Sequence, residues 1–352
     1  GAQSVQYKLH VRPVISLNGE NLWKSGDGSA SNPYEIQDLP ETLSERLLSD
    51  KSTRPGERTD FSTVLTTDNT KTLYTGTEDG TTVYYFAGNA TDNWVKFGGY
   101  YWRIIRTNAD GSTRMLYHGT STTATDAYIG TSTFNSTYND PMYVGYIYGT
   151  SNSTAIDRSN TNNSTIKEVI DVWYKNNLNT NYGKYISTTA AYCNDRNVID
   201  GTYNTSSFSY AGRTRLYSNK APTYNCLTTE DKFTITGNIG NGKLTYPIAL
   251  MTADEISYAG GVYDKNSLTW YYYNSVKSSS TGSINWWLIS PFNWYGNTAY
   301  TFLVYGSNHS GVLGNSYVNN TLGVRPVISL KADVVYKSGD GTASSPYEII
   351  TD

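Results

Sequence analysis

Three histidines, two cysteines and scattered carboxylates are the residues of this 352-residue chain that could do chemistry. His10, His118 and His309 stand apart, with no HExxH pair to hold a metal and no GxSxG turn or phosphate loop. A Ser-His-Asp site needs no closeness in sequence, but nothing in the chain points to one. Cys193, in AYCNDR, and Cys226, in TYNC, form one disulfide if the chain is secreted, or remain two buried thiols if it is cytosolic. With no Cys or His cluster beside them, a zinc site is not expected. Asp27 and Asp340 each sit in an SGDG turn, where a lone Asp between glycines serves the turn rather than calcium. LPETL at 39–43 has the outline of a transpeptidase sorting signal without its glycine; Pro40 there fits the first turn of a helix. The expectation is a chain that is not an enzyme, with no metal and no cofactor.

The stretch that does stand out is WWLISPFNWYGNTAYTFLVYGSNHSGVLGNSYVNNTL, residues 286–322. It carries nine aromatic residues and not one Lys, Arg, Asp or Glu. A core strand would alternate more cleanly and hold fewer Asn, and a disordered tail would not carry so many rings. Rings separated by small polar residues are what contact surfaces use. The whole chain shares that palette: 33 Tyr, with charged residues at 16% against roughly 25% in ordinary domains. A net charge of −3 gives no electrostatic reason to expect a nucleic-acid partner. No run of 18 apolar residues is present to enter a membrane. GAQS at 1–4 reads as a cloning remnant rather than a leader.

The elements that must position this stretch are legible from local signals. Thr42 with Glu45, Thr165 with Glu168 and Thr252 with Glu255 each spell a capping box, predicting three helices. In the second, Ile166, Val169, Ile170, Trp173 and Leu178 share a face. In the third, Met251 and Ile256 take the positions of a hydrophobic staple, and Gly260 ends the helix. TTVYYFAGN, NWVKFGG and YYWRIIRTNADGSTRMLYHG read as a meander turning at Gly98–Gly99 and Asp110–Gly111. The Ser/Thr/Asn/Gly/Tyr-rich tract 119–163 reads as surface loop with scattered local structure. The fold class is α+β: small antiparallel sheets, two or three helices and long loops.

The chain opens and closes on the same sequence. HVRPVISLNGENLWKSGDGSASNPYEI and GVRPVISLKADVVYKSGDGTASSPYEI align without a gap, with 18 identities in the 26 positions from Val11 and Val324. Repetition at a fixed offset, here 313 residues, is the signature of an array. Residues 1–37 are therefore expected to be the tail of a preceding repeat, and 38–352 one complete domain. The competing arrangement pairs both copies inside one domain. In each copy VRPVISL and the stretch before PYEI are expected to pair across the GDG turn.

A double Trp followed by SP, the Asn/Ser/Tyr-rich stretch and a closing GVRPVISL together resemble the C-terminal end of C-type-lectin-fold surface proteins of gut bacteria and their phages. VKFGGYYWRIIRTNADGSTRM and YPIALMTADEISYAGGV resemble other blocks of the same domain type, over about residues 75–352. The resemblance implies two helices against a small antiparallel sheet whose terminal strands pair, and a ligand-binding site on long loops. It includes the variable proteins of diversity-generating retroelements, in which the late stretch is the diversified binding face. That implies a ligand site at Phe292, Trp294, Tyr295, Asn297, Tyr300, Tyr305, Asn308, His309, Leu313 and Tyr317. The calcium signatures of sugar-binding animal lectins are absent, and the cysteines precede the stretch, unlike those of formylglycine-generating enzymes. The implied partner is a protein or glycan on another cell or host surface, with neighbouring repeats alongside. The implied location is the cell surface or a phage particle. The alternative is a structural spacer in a long surface fibre.

Overall fold

The computed structural model describes residues 13–16, 22–37, 39–150, 153–203, 205–276, 280–307 and 309–351. The chain divides into two compact units, Gly1–Glu41 and Thr42–Asp352. Residues 1–4, with the rest of 1–12, lie outside the described residues.

In the first unit, strands β1 (Leu22–Ser25) and β2 (Glu35–Gln37) pair antiparallel around the SGDG turn. Gly26 and Gly28 have φ of +94° and +82°, values a side chain would strain. Residues 13–16 form no regular element, and Val14 and Ile15 are exposed.

The second unit is α+β, built mostly of small antiparallel sheets with few helices. Helix α1 (Leu43–Asp50) begins with the predicted capping box: Thr42 Oγ1 accepts from Glu45 N, and Glu45 Oε2 accepts from Thr42 N. The first sheet contains β3 (Tyr74–Glu78), β4 (Thr81–Tyr85), β5 (Trp94–Phe97), β6 (Tyr100–Thr107) and β7 (Thr113–Gly119). The meander β5–β6–β7 turns where its glycines predict. Helix α2 (Thr165–Tyr174) starts one residue early: Ser164, not Thr165, is the cap, accepting from Lys167 N. Its Ile166, Ile170 and Tyr174 are buried, as is Leu178 just beyond. The tract 119–163 is not bare loop. It carries a turn of helix at Pro141–Val144 and two-residue strands, anchored by buried Phe134, Val144, Tyr146 and Ile147.

The second sheet begins with β8 (Val198–Gly201) and β9 (Ser207–Tyr210). Next come the short strand β10 (Ala249–Leu250), which belongs to the first sheet, and α3 (Ala253–Tyr258), opened by the predicted Thr252–Glu255 box. Strand β11 (Trp286–Tyr295) runs through the centre of the second sheet. It pairs with β9 on one side and β12 (Thr298–Val304) on the other, and β13 (Leu313–Tyr317) pairs with β12. Pro291, which has no N–H for a ladder, coincides with the register shifts in β11. Strand β14 (Leu322–Gly323) runs beside the start of β11. The Cys193–Cys226 disulfide is formed.

Strand β15 (Pro326–Leu330) corrects one expectation. It does not pair across the GDG turn but lies in the first sheet between β7 and β10. Val327, Ile328, Ser329 and Leu330 are wholly buried, and a strand covered on both faces needs a sheet around it rather than one hairpin partner. The hairpin is instead β16 (Tyr336–Ser338) with β17 (Glu348–Ile349). The terminal-strand pairing implied by the resemblance is also not made: β7, β6 and β4 separate β15 from β3.

Two sets of buried charges cross this core. Glu255, which closes the α3 capping box through Oε2, accepts through Oε1 from Arg106 Nε at 3.1 Å and Arg114 Nη1 at 2.7 Å. Arg106 also pairs with Glu78 at 2.8 Å. Burial alone would raise the Glu255 carboxyl, but the two guanidinium groups outweigh it and hold it below its usual range. In the second set, among the described residues, no carboxylate forms an ion pair with either guanidinium. Arg103 lies 4.1 Å from the Trp94 ring and donates to Asn93 Oδ1 and Ala90 O. Arg325 lies over Trp286 and donates to Tyr117 O and Tyr271 O. Beside them His118 is fully buried, with its ring edge-on to Trp94 at 4.4 Å. Burial, reinforced by Arg325 and Arg103, holds its imidazole well below the usual range.

Two outcomes follow. Glu255→Gln leaves two buried guanidinium groups short of a counter-charge and lowers stability by about 3–5 kcal/mol in urea unfolding. His118 stays neutral in the fold and is protonated in the unfolded chain below about pH 6.5, so its contribution is complete above that pH and declines as pH falls. Asp157, raised to about 7 mainly by burial, titrates in the opposite sense. The comparison with His118→Phe therefore isolates the imidazole: unfolding free energies from pH 8 to pH 5 fall less steeply in the variant.

Candidate binding face

The strands of the second sheet sort the late aromatic residues by alternation. Strands β11 and β12 are joined by a two-residue turn, Gly296–Asn297, with φ of +57° and +60°, the positive pair that a tight hairpin favours. Tyr295 pairs with Thr298, Asn293 with Tyr300, and Tyr300 with Tyr317. On the other side Ser207 pairs with Tyr295 and Ser209 with Asn293. Directly paired residues share a face. One face thus presents Ser207, Ser209, Asn293, Tyr295, Thr298, Tyr300 and Tyr317 across four strands, about 14 Å wide. Tyr295 is 61% exposed and Tyr317 45%, while Tyr300 is half-buried with its ring 4.6 Å from that of Tyr317.

Beside Tyr295 this face dips into a cleft of about 290 Å³ lined by Asp200, Ser207, Ser209, Arg213, Asn293 and Tyr295. Arg213 Nη1 donates to Ser209 Oγ at 2.7 Å, and its guanidinium lies 5.4 Å from the Phe292 ring. Arg213 Nε and Asn293 Oδ1 are buried without a hydrogen-bond partner. One donor and one acceptor are therefore left at the wall of a polar cleft, next to exposed phenols.

The opposite face is core. Trp294 lies across from Phe208 and donates from Nε1 to Thr205 O at 3.1 Å. Ala299 and Val318 are buried on the same side, against the segment around Tyr138 and Asn135.

The ten residues expected to form the site are thus divided. Tyr295, Asn297, Tyr300 and Tyr317 gather at one end of the sheet. Tyr305 and His309, with rings 4.7 Å apart, lie in the loop at the far end of β12, about 17 Å away by strand rise. Asn308 lies outside the described residues. Phe292, Trp294 and Leu313 must be removed from a contact surface, because all three are buried. Phe292 stacks on Tyr263 at 5.5 Å and meets Phe302 edge-on at 5.0 Å. Trp286, Trp287 and Phe302 of the same stretch are likewise sealed inside. Ring content alone does not distinguish the two faces of a strand, and the Pro291 irregularity shifts their phase within β11. Sequence reasoning missed Ser207, Ser209 and Arg213. The alternation in SFSY was the available signal for the two serines, with Phe208 and Tyr210 inward.

Comparison with family models, with curated proteins and with solved structures returns no match for this chain. The geometry must stand by itself. Exposed phenols flanked by amides and hydroxyls can stack on the apolar face of a sugar ring or pack on a protein surface, with polar groups fixing orientation.

The division between faces is testable by stability alone. Trp294→Ala is expected to cost about 3–5 kcal/mol in urea unfolding, whereas Tyr295→Ala and Tyr317→Ala stay within about 0.5 kcal/mol of the parent.

Proposed function

We propose that this chain is a non-enzymatic ligand-binding or adhesion module of the C-type-lectin type, borne on a bacterial cell surface or a phage particle. The observation that carries this reading is the outward face shared by β9, β11, β12 and β13, where Tyr295, Tyr300 and Tyr317 stand among Ser, Thr and Asn beside a polar cleft. Folding leaves Tyr295 exposed while Trp294 and Phe292 from the same strand fill the core, and on the neighbouring strands Tyr317 is exposed and Tyr300 half-buried. The disulfide and the tyrosine-rich, weakly charged composition support an extracellular setting. The meander β5–β6–β7 joined by the GVRPVISL strand, with the face built late in the chain, supports the lectin-like frame. The ligand class is a glycan or protein surface on another cell. In the retroelement reading, Tyr295, Asn297, Tyr300 and Tyr317 are the positions open to diversification.

A second reading, a spacer repeat in a surface fibre, is favoured by one observation: the hairpin of residues 22–37 repeats that of 336–349. The two readings coexist if repeats carry the face outward. Sequencing neighbouring units separates them, because changes concentrated on the tyrosine face mean recognition and evenly spread changes mean a spacer.

The direct experiment screens the chain against glycan and host-surface protein arrays, then repeats any hit with Tyr295→Ala/Tyr317→Ala. Capture is expected to fall at least about 30-fold, the equivalent of 2 kcal/mol, with an unchanged melting temperature. Capture as strong as the parent's would remove the face from the binding reading.

A further inference from the structure

The two hairpins agree bond for bond. Asp27 N and Gly28 N both donate to Asn32 O, at 3.0 and 3.1 Å; Asp340 N and Gly341 N both donate to Ser345 O, at 2.9 and 3.1 Å. Asp27 Oδ1 accepts from Ser29 N, and Asp340 Oδ1 from Thr342 N, each at 2.9 Å. Even a substitution keeps its bond: Trp23 Nε1 donates to Gly26 O at 3.1 Å where Tyr336 OH donates to Gly339 O at 2.8 Å.

Their surroundings differ. The hairpin β16–β17 is seated. Gly341 O accepts from Trp94 N at 2.8 Å, Tyr347 N donates to Trp94 O at 2.9 Å, and Lys96 N donates to Tyr347 O at 2.9 Å. Lys51 Nζ donates to Asp340 O, and Tyr347 OH donates to Asp50 Oδ2 at 2.8 Å. The Arg46 guanidinium lies 5.2 Å from the Tyr336 ring. Tyr347 is wholly buried, whereas its counterpart Tyr34 is 68% exposed, and so is Trp23, the counterpart of Tyr336. Upstream the same contrast holds: Val14 and Ile15 are 92% and 82% exposed, while Val327 and Ile328 are fully buried.

We infer that the hairpin of residues 22–37 docks on a second copy of this fold, filling the seat between α1 and β5 that β16–β17 fills here. Every group that the seat engages is present in the tail: the carbonyls of Asp27 and Gly28, the backbone and hydroxyl of Tyr34, and a ring at Trp23 for the Arg46 position. An indole is also the stronger partner for a guanidinium. The exposed aromatic pair is therefore matched to a surface already defined by this chain, and no partner of other chemistry need be invoked. This extends the array reading above by naming the joint. Alike neighbouring units with a negative result below would leave the array and remove the seat.

The test vacates the seat in the full chain. A Cβ at 341 would come within 2.4 Å of Asp92 O, and the residue has φ of +82°, so Gly341→Val evicts the resident hairpin without altering the seat. The expected result is head-to-tail association: at tens of micromolar, sedimentation equilibrium gives at least twice the parent's mass. Gly341→Val/Tyr34→Ala returns to the parent's mass. A Gly341→Val chain that keeps the parent's mass overturns the inference. The second measurement uses the parent chain with a synthetic peptide of residues 13–37 at millimolar concentration, the range of a tethered competitor. Amide exchange over 336–349 is expected to quicken several-fold with this peptide and not with its Tyr34→Ala version. Equal exchange with both peptides overturns the inference even if Gly341→Val fails to fold.

Discussion

One buried carboxylate, Glu255, ties the second unit together. Its two oxygens divide their work, Oε2 closing the cap of α3 and Oε1 receiving Arg106 from β6 and Arg114 from β7. The same helix start reaches the other sheet, since Ala253 N donates to Ser290 Oγ and Ile289 N donates to Met251 O. The middle of β11 is thus pinned where Pro291 deprives it of a regular ladder, and the tyrosine face downstream inherits its phase from that point. An apolar replacement of the ion network could match its stability, whereas removing one partner alone leaves a buried charge uncompensated.

The interior solves a second electrostatic problem in another way. Arg103 and Arg325 are fully buried, and the ring faces of Trp94 and Trp286 together with backbone carbonyls take the place of water around them. Burial pulls Arg103 down to about 9 and Arg325 to about 10, mainly through lost hydration. The abundance of Trp and Tyr in this chain is therefore not only a matter of surface. Many of the rings support cations or fill the sheets, others lie half-buried against the core, and Tyr295 and Tyr317 are among the few left exposed.

Local chemistry made much of this legible. The Thr42 and Thr252 capping boxes and the glycine turns of the meander each involve residues a few positions apart, and these formed as read. The start of α2 slipped by one residue because Ser164 and Thr165 can both cap and only packing selects between them. Long-range placement was opaque. Nothing within PVISL says whether its neighbour is a strand just beyond the GDG turn or β7, far back in the chain. The same limit hid the inward turn of Phe292 and Trp294, which a bulge and an upstream strand decide. The serines of β9 and Arg213 come from a segment about eighty residues earlier, and only the sheet brings them to Tyr295.

The tight reversal at Gly296–Asn297 has open space around it: a Cβ at Gly296 would meet nothing within 4 Å. Its flanking strands alternate between positions locked by the interior and positions facing water. Such a hairpin acts as a filter on inheritance, since Trp294, Ala299 and the left-handed Asn297 cannot drift freely while Tyr295 and Thr298 can be rewritten at little cost to folding. The architecture separates what evolution can vary from what it must keep, residue by residue along a single strand.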